Sequence, residues 1–277
     1  MTGKGCLALA CCAIALLGGA PATSIASASD ASNPFNDIAR AYLVEVDGKV
    51  VWHKAEHQRL APASLTKLMT ALLAAESLRA DAPVTVSLAA AKETGSKLGL
   101  PAHTTLTAND LLAATLVASA NDACHALADA IAGSQERFVQ RMNQRARQMN
   151  LHNTHFSNAC GHDAPDHYSS AEDLARLAAT LMQNTALATL VAKAELQIAS
   201  SDGAHRYRLT NSNALIGRYG GAIGIKTGTT PQAGKCLVAL VRRGNHSVML
   251  VLLKGKDRWW DATDVLDIAF AHAQANP

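Results

Sequence analysis

An α/β fold of the α+β kind, with an antiparallel sheet built from both termini and a helical lobe inserted beside it, follows from three features of the sequence. Near the start, two apolar, β-branched runs at 41–46 and 49–53 flank Asp47-Gly48, a hairpin signal. Near the end, 222–226, 235–242 and 247–253 read as successive strands, the last pair turned by Gly244-Asn245. Helical periodicity fills most of what lies between. Strands at both ends with helices between them imply a sheet that the two termini complete together.

Length and composition narrow the class. With 277 residues, 49% hydrophobic and 17% charged, the chain suits one large globular domain or two intimately packed lobes. A net charge of +3, 4% aromatic residues and no long basic run argue against a nucleic-acid partner. Residues 1–28 have the form of a secretory signal: Lys4 is the positive start, 7–17 the apolar core, and Ala26-Ser27-Ala28 a small-x-small cleavage site before Ser29. That apolar run is shorter than the roughly 20 residues that span a bilayer, so no stable membrane anchor is expected after cleavage. Cys6, Cys11 and Cys12 would leave with the signal, and Cys124, Cys160 and Cys236 remain. Three thiols allow at most one internal pair, which the sequence does not choose. Their spacing fits no zinc pattern, and neither a metal nor a cofactor is expected.

Taken in order, residues 30–34 read as a linker, followed by the hairpin. Leu65, Leu68, Leu72 and Leu73 recur at helical spacing in a run free of Gly and Pro, so a helix is expected from Ser64 to Leu78, with Pro62 ending the chain before it. Residues 81–107 are turn-rich, punctuated by Gly95, Gly99 and Pro101. Helices are expected at 109–118, 122–131 and 135–149, the last after Gly133-Ser134. Ser169-Ser170-Ala171-Glu172-Asp173 is a capping-box start for a helix through Leu181, and a closing helix covers 261–273. The expected organisation is one catalytic domain over 29–277, its sheet lobe at about 35–80 and 195–277 and its helical lobe at about 81–194.

Three short patterns carry chemistry. In Ser64-Leu65-Thr66-Lys67, positions three apart share one helix face, so an amine can approach a hydroxyl. A serine attacks a carbonyl well only if a base takes its proton, and a lysine is a base only when neutral. Bringing its pKa from about 10.4 to near 7 costs roughly 4 kcal/mol, which burial, a helix N-terminus or a second cation could supply. The plain alternative is a capping serine and a solvated lysine. Ser119-Ala120-Asn121 falls where one expected helix ends and the next begins, offering a hydroxyl and an amide to a bound peptide, or ordinary capping. Lys226-Thr227-Gly228-Thr229 continues a strand, and Gly228 lets another backbone come close. Strict alternation puts Lys226 and Thr227 on opposite faces, so joint service requires an edge strand.

Together, and in this order, the three patterns resemble the low-molecular-mass penicillin-binding proteins, the serine D-alanyl-D-alanine carboxypeptidase and endopeptidase family. Asn153-Thr154-His155-Phe156-Ser157-Asn158, His167-Tyr168-Ser169-Ser170-Ala171 and Ala233-Gly234 also look like its local sequence. The resemblance implies a β-lactamase/transpeptidase-like fold and a soluble periplasmic or cell-wall-associated enzyme acting on peptidoglycan stem peptides, with β-lactams as covalent inhibitors. It implies Ser64 as nucleophile, Lys67 as base and Ser119 as proton relay. Asn121, Lys226, Thr227, Gly228 and Thr229 would bind substrate, and the backbone N–H groups of Ser64 and Thr229 would form the oxyanion hole. Which of Lys254, Lys256 and Arg258 assists the substrate carboxylate stays open. Two other readings share these motifs: a module that acylates once and senses β-lactams, and a class A-like β-lactamase. The latter resembles this chain but carries a Glu-x-x-Leu-Asn segment, and no matching base is visible here. The family's usual Asn-Pro-x-Gly-Leu reads Asn158-Ala159-Cys160-Gly161-His162, which leaves Cys160 without a role. The C-terminal sheet domain and amphipathic membrane helix of some relatives are not expected here.

Overall fold

The computed structural model describes residues 1–3, 33–35 and 37–276, of which those from 33 onward belong to one compact unit. Residues 4–28 of the expected export signal, with its three cysteines, and most of the 30–34 linker lie outside the described residues.

The hairpin forms as β1 (Ala39–Val46) and β2 (Lys49–Lys54), with Asp47 and Gly48 both left-handed at φ +51° and +77°. Two left-handed central residues match the twist of the flanking strands, which is why Asp-Gly signals a hairpin. The helix expected from Ser64 begins instead as a 3-10 turn, Ala63–Thr66, and becomes α1 only at Lys67–Ser77. At three residues per turn a 3-10 segment eclipses positions 64 and 67, so their side chains project in line.

A short strand β3 (Pro83–Thr85), a single turn α2 (Leu88–Ala91) and β4 (Thr105–Thr107) follow, β3 pairing with β4. Three helices then come close to their expected bounds: α3 (Ala108–Leu116), α4 (Asn121–Ala132) and α5 (Gln135–Gln148). Thr107 and Ser134 cap α3 and α5 through their hydroxyls, and left-handed Gly133 ends α4. α6 (Ala171–Gln183) is capped by Ser170, but only half of the expected capping box forms. The buried Asp173 carboxylate instead accepts from Asn153 N and Thr154 Oγ1, anchoring the start of the 153–158 segment.

After α7 (Thr185–Val191) comes an unexpected hairpin, β5 (Glu195–Ala199) and β6 (Arg206–Thr210). It packs Leu196, Ile198, Tyr207 and Leu209 on the helical layer and turns Glu195, Arg206 and Arg208 to solvent. The last three strands, β7 (Ala222–Thr230), β8 (Gly234–Arg243) and β9 (His246–Gly255), join the first two in an antiparallel sheet of order β2-β1-β9-β8-β7, closed by α8 (Arg258–Ala275). β9 pairs with β1, so the two termini do complete one sheet, and β7 lies at its edge.

Alternate residues of the central strands enter two cores. Leu43, Val238, Leu240 and Val251 face the helical layer, while Tyr42, Val44, Leu237 and Leu250 face α8. Burial on both faces explains why β8 and β9 read as continuous apolar runs rather than alternating ones. The edge strand β7 and the 3-10 turn meet at the rim of this sheet, and the chemistry is found there.

Candidate active site

Four segments converge on the 3-10 turn. Ala63, just before Ser64, is left-handed at φ +49°, and Thr66 Oγ1 bonds back to Ala63 O at 2.8 Å. Behind it His167 accepts from Ser157 N at Nδ1, so its Nε2–H points to Thr66 Oγ1 at 2.8 Å. Two glycines press on the turn from opposite segments. A Cβ on Gly228 would lie 2.8 Å from Ser64 N, and one on Gly161 would lie 2.0 Å from Ala63 O. The backbone that Gly228 admits is therefore the Ser64 turn itself, a closer neighbour than the docked substrate that the sequence suggested.

Lys67 is wholly buried, with its Nζ 3.0 Å from Ser64 Oγ, 2.7 Å from Asn121 Oδ1 and 2.6 Å from Cys160 O. The orientation of the Asn121 amide is fixed because its Nδ2 donates to Thr94 O at 2.6 Å. Burial lowers the Lys67 pKa to about 7, against the opposing pull of the Glu93 carboxylate. Burial, rather than a second cation, is thus the leading cause among those that the sequence allowed. A neutral amine has two N–H bonds and one lone pair. Asn121 Oδ1 and Cys160 O can only accept, so they take both N–H bonds and leave the lone pair to the Ser64 hydroxyl.

Ser119 and Lys226 form the opposite wall. Ser119 lies between α3 and α4 in a left-handed conformation, φ +59°, which non-glycine residues adopt rarely and at some cost. Lys226 Nζ, also fully buried, donates to Ser119 Oγ and Thr227 O, both at 2.9 Å. Burial lowers its pKa well below the usual lysine range, and the charges of Lys67 and Arg258 push the same way. Thr227 Oγ1 shares a hydrogen bond of 2.9 Å with Ser212 Oγ, and the exposed Thr229 donates to Gly228 O at 2.8 Å.

Of the three cations left open, Arg258 is the one at the site. Its Nη1 lies 2.9 Å from Gly228 O, 3.0 Å from Cys236 O and 3.2 Å from Thr229 Oγ1. Lys256 pairs with Asp37 instead. Cys160 gains two roles: its carbonyl holds Lys67, and its sulfur forms a disulfide with Cys124 on α4. Cys236 is a buried free thiol. No sequence pattern could have shown the Cys160 carbonyl, because a backbone oxygen leaves no mark on residue type. A cleft of about 510 Å³ opens beside the site, lined by Arg59, Ala61, Asp163, Tyr168 and Gln232 among others. None of Ser64, Lys67, Ser119 and Lys226 lines it, so the cleft adjoins the chemistry without containing it.

A serine on a tight helical turn, a buried amine within reach of its hydroxyl and a second serine–lysine pair beside them form an arrangement suited to serine acyl transfer. The sequence profile of the D-alanyl-D-alanine carboxypeptidases (peptidase S11) matches residues 28–257, and the chain belongs to that family. It is 37% identical over 246 residues to D-alanyl-D-alanine carboxypeptidase DacF of Bacillus subtilis (strain 168), covering 86% of this chain and 63% of that one. A D-alanyl-D-alanine carboxypeptidase of Streptomyces sp. (strain K15) is 32% identical over 274 residues, covering 92% of each. The crystal structure of the Streptomyces K15 DD-transpeptidase aligns with a TM-score of 0.80 at 30% identity, over 87% of this chain and 99% of that one. The expected β-lactamase/transpeptidase-like fold is thereby borne out.

Proposed function

We propose that this chain is a serine DD-peptidase that cleaves the D-Ala-D-Ala bond, or the D-Ala-diamino acid cross-link, of peptidoglycan stem peptides through a Ser64 acyl-enzyme. One observation carries the reading: the buried Lys67 Nζ lies 3.0 Å from Ser64 Oγ while its two other partners, Asn121 Oδ1 at 2.7 Å and Cys160 O at 2.6 Å, can only accept, so the neutral amine keeps its lone pair for the Ser64 hydroxyl.

In this reading Ser64 Oγ attacks the carbonyl as Lys67 takes its proton. Ser119, held by Lys226, returns a proton to the leaving amine, whose departure yields the acyl-enzyme; water then frees it. Asn121 Nδ2 has a second N–H beyond the one given to Thr94, and that group meets the substrate amide. Thr227, Thr229 and Arg258 meet the terminal carboxylate. The N–H groups of Ser64 and Thr229 face the developing oxyanion, a placement supported by the contact of Gly228 with Ser64 N. Each such donor is typically worth about 10² to 10³ in rate. The site of action is outside the cytoplasm, in the periplasm or at the wall. No helix among the described residues is long and apolar enough to cross a membrane.

Purified protein is incubated with fluorescent penicillin and, separately, with a pentapeptide ending in D-Ala-D-Ala. The reading expects covalent label on wild type, D-alanine release, and neither with Ser64→Ala. Lys67→Arg keeps a charge that does not dissociate and should also stop acylation. Label on Ser64→Ala would remove the nucleophile; label without release would favour the β-lactam sensor.

A further inference from the structure

Four titratable side chains beside the network have no part in the chemistry above: Glu93, His125, Asp129 and His162. Glu93 follows the α2 turn, its side chain only 16% exposed. One of its oxygens lies 2.6 Å from His125 Nδ1 on α4, and the other lies 2.9 Å from His162 Nε2 just beyond Cys160. His125 Nε2 reaches on to Asp129 Oδ2 at 3.4 Å. A single carboxylate thus joins its own segment to two others that lie 32 and 69 residues further along the chain.

The same three segments hold the lysine base. Thr94, next to Glu93, offers the carbonyl that fixes the Asn121 amide. Cys160, two residues before His162, offers the carbonyl that accepts from Lys67. α4 carries Asn121 itself and, through Cys124, the other end of the disulfide. Asn158 Oδ1 closes the 158–162 turn by accepting from the amides of Cys160, Gly161 and His162. The turn therefore moves as a unit, and Glu93 and the disulfide are its two ties to the α4 side.

We propose that Glu93 is a positioning residue for the lysine base: by bridging His125 and His162 it clamps the Thr94 and Cys160 carbonyls around Asn121 and Lys67, and its negative charge acts on the amine from behind that network. This rests on the Ser64–Lys67 reading. The charged groups around the clamp are few. Glu93 meets His125 from α4 and His162 from the 158–162 turn, Asp129 lies beyond on the far nitrogen of His125, and Lys226 stands across from Lys67 on β7. Asp122, also on α4, is turned away and accepts from the amides of Leu98, Gly99 and Leu100. Burial would raise the Glu93 pKa, but its two histidine partners outweigh that and lower it, so Glu93 stays ionised. An ionised Glu93 opposes the neutral form of Lys67.

Charge and clamp predict opposite effects, which two variants separate. Acylation needs the neutral amine, so its rate rises with pH through the Lys67 pKa. Glu93→Gln keeps the shape and removes the charge. Its acid limb should move to lower pH, by about half a unit to one unit. Glu93→Ala removes the clamp, and its plateau acylation rate should fall about tenfold or more while non-covalent affinity for penicillin is kept. Both are measured by stopped-flow acylation with fluorescent penicillin from pH 5 to 9. Label on Ser64 in wild type at saturation separates a failure of this inference from a failure of the nucleophile assignment. Should Glu93→Ala not fold, Glu93→Gln alone decides. The proposal is overturned if the Glu93→Gln limb superimposes on wild type, or if folded Glu93→Ala acylates at the wild-type rate.

Discussion

On one face of the five-stranded sheet, Tyr42, Val44, Leu237, Leu250 and Leu252 meet Val265, Leu266, Ala269 and Phe270 of α8 in an apolar layer. On the other face, the helical layer buries Lys67, Lys226, Ser119, Asn121 and His167 together with its leucines and alanines. Both faces are dehydrated to a similar degree, yet dehydration has opposite consequences. Around α8 it stabilises the fold, because apolar area leaves water. Around Lys67 and Lys226 it disfavours the charged state and so destabilises the fold in return for a neutral base. Substitutions should therefore separate into those that reduce rate and those that reduce stability, according to the face that they touch.

The largest effect is expected at Gly228, on the catalytic face. A methyl there would sit 2.8 Å from Ser64 N and 2.9 Å from Ala63 Cβ, so the nucleophile's turn must shift. Gly228→Ala should slow acylation by about 10² or more, since a displacement near 1 Å costs that much, with a small change in melting temperature. Equal acylation rates would erase the distinction between the faces at this point. On the α8 face, Phe270→Ala should cost about 3 to 5 kcal/mol in urea unfolding while the folded fraction acylates normally. A rate loss in that variant would show that the two faces are coupled.

The Cys124–Cys160 disulfide closes a separation of 36 residues on the catalytic face. Replacing both cysteines by alanine should cost about 3 to 4 kcal/mol through the freed chain of the unfolded state. Stability unchanged in urea unfolding would mean that the link constrains nothing the fold does not already hold. A smaller, pH-dependent effect comes from His167. Burial is the main reason that its pKa falls from 6.5 to about 4, with the charge of His155 adding to it. The unfolded chain then binds a proton below pH 6.5 that the folded chain refuses until about pH 4. The stability contributed by neutral His167 is complete above 6.5 and declines as pH falls between these values, by roughly 3 kcal/mol in all. Urea titrations at pH 7 and pH 4.5 should show the loss, and His167→Gln should flatten it.

The α8 face was legible in the sequence because apolar runs, an Asp-Gly turn and helical periodicity are properties of neighbouring residues. Ser64, Lys67, Ser119 and Lys226 were legible as separate motifs, and the structure brings all four to one site. Asn121, Thr227, Gly228 and Thr229 were legible in the same motifs; the remaining residues of the site were not, for reasons that differ by residue. Cys160 acts through its carbonyl, which any residue has. Arg258 stood among three equivalent cations until α8 placed it behind Gly228 and Thr229. Glu93, His125 and His162 lie on three segments that only the folded chain joins. The β5–β6 hairpin did leave a sign, the alternation of Leu196 and Ile198 with polar neighbours, but its connection is longer than the two-residue turns that mark hairpins most clearly.

The central claim, that dehydration leaves Lys67 neutral near physiological pH, is tested most directly by following lysine ε-carbons by NMR across pH 5 to 11 in wild type and Lys67→Arg. A resonance that titrates at about pH 7 and is missing from the variant is the predicted result. If the resonance lost in the variant titrates near pH 10, like a solvated lysine, the amine is charged when Ser64 must give up its proton, and the account is contradicted.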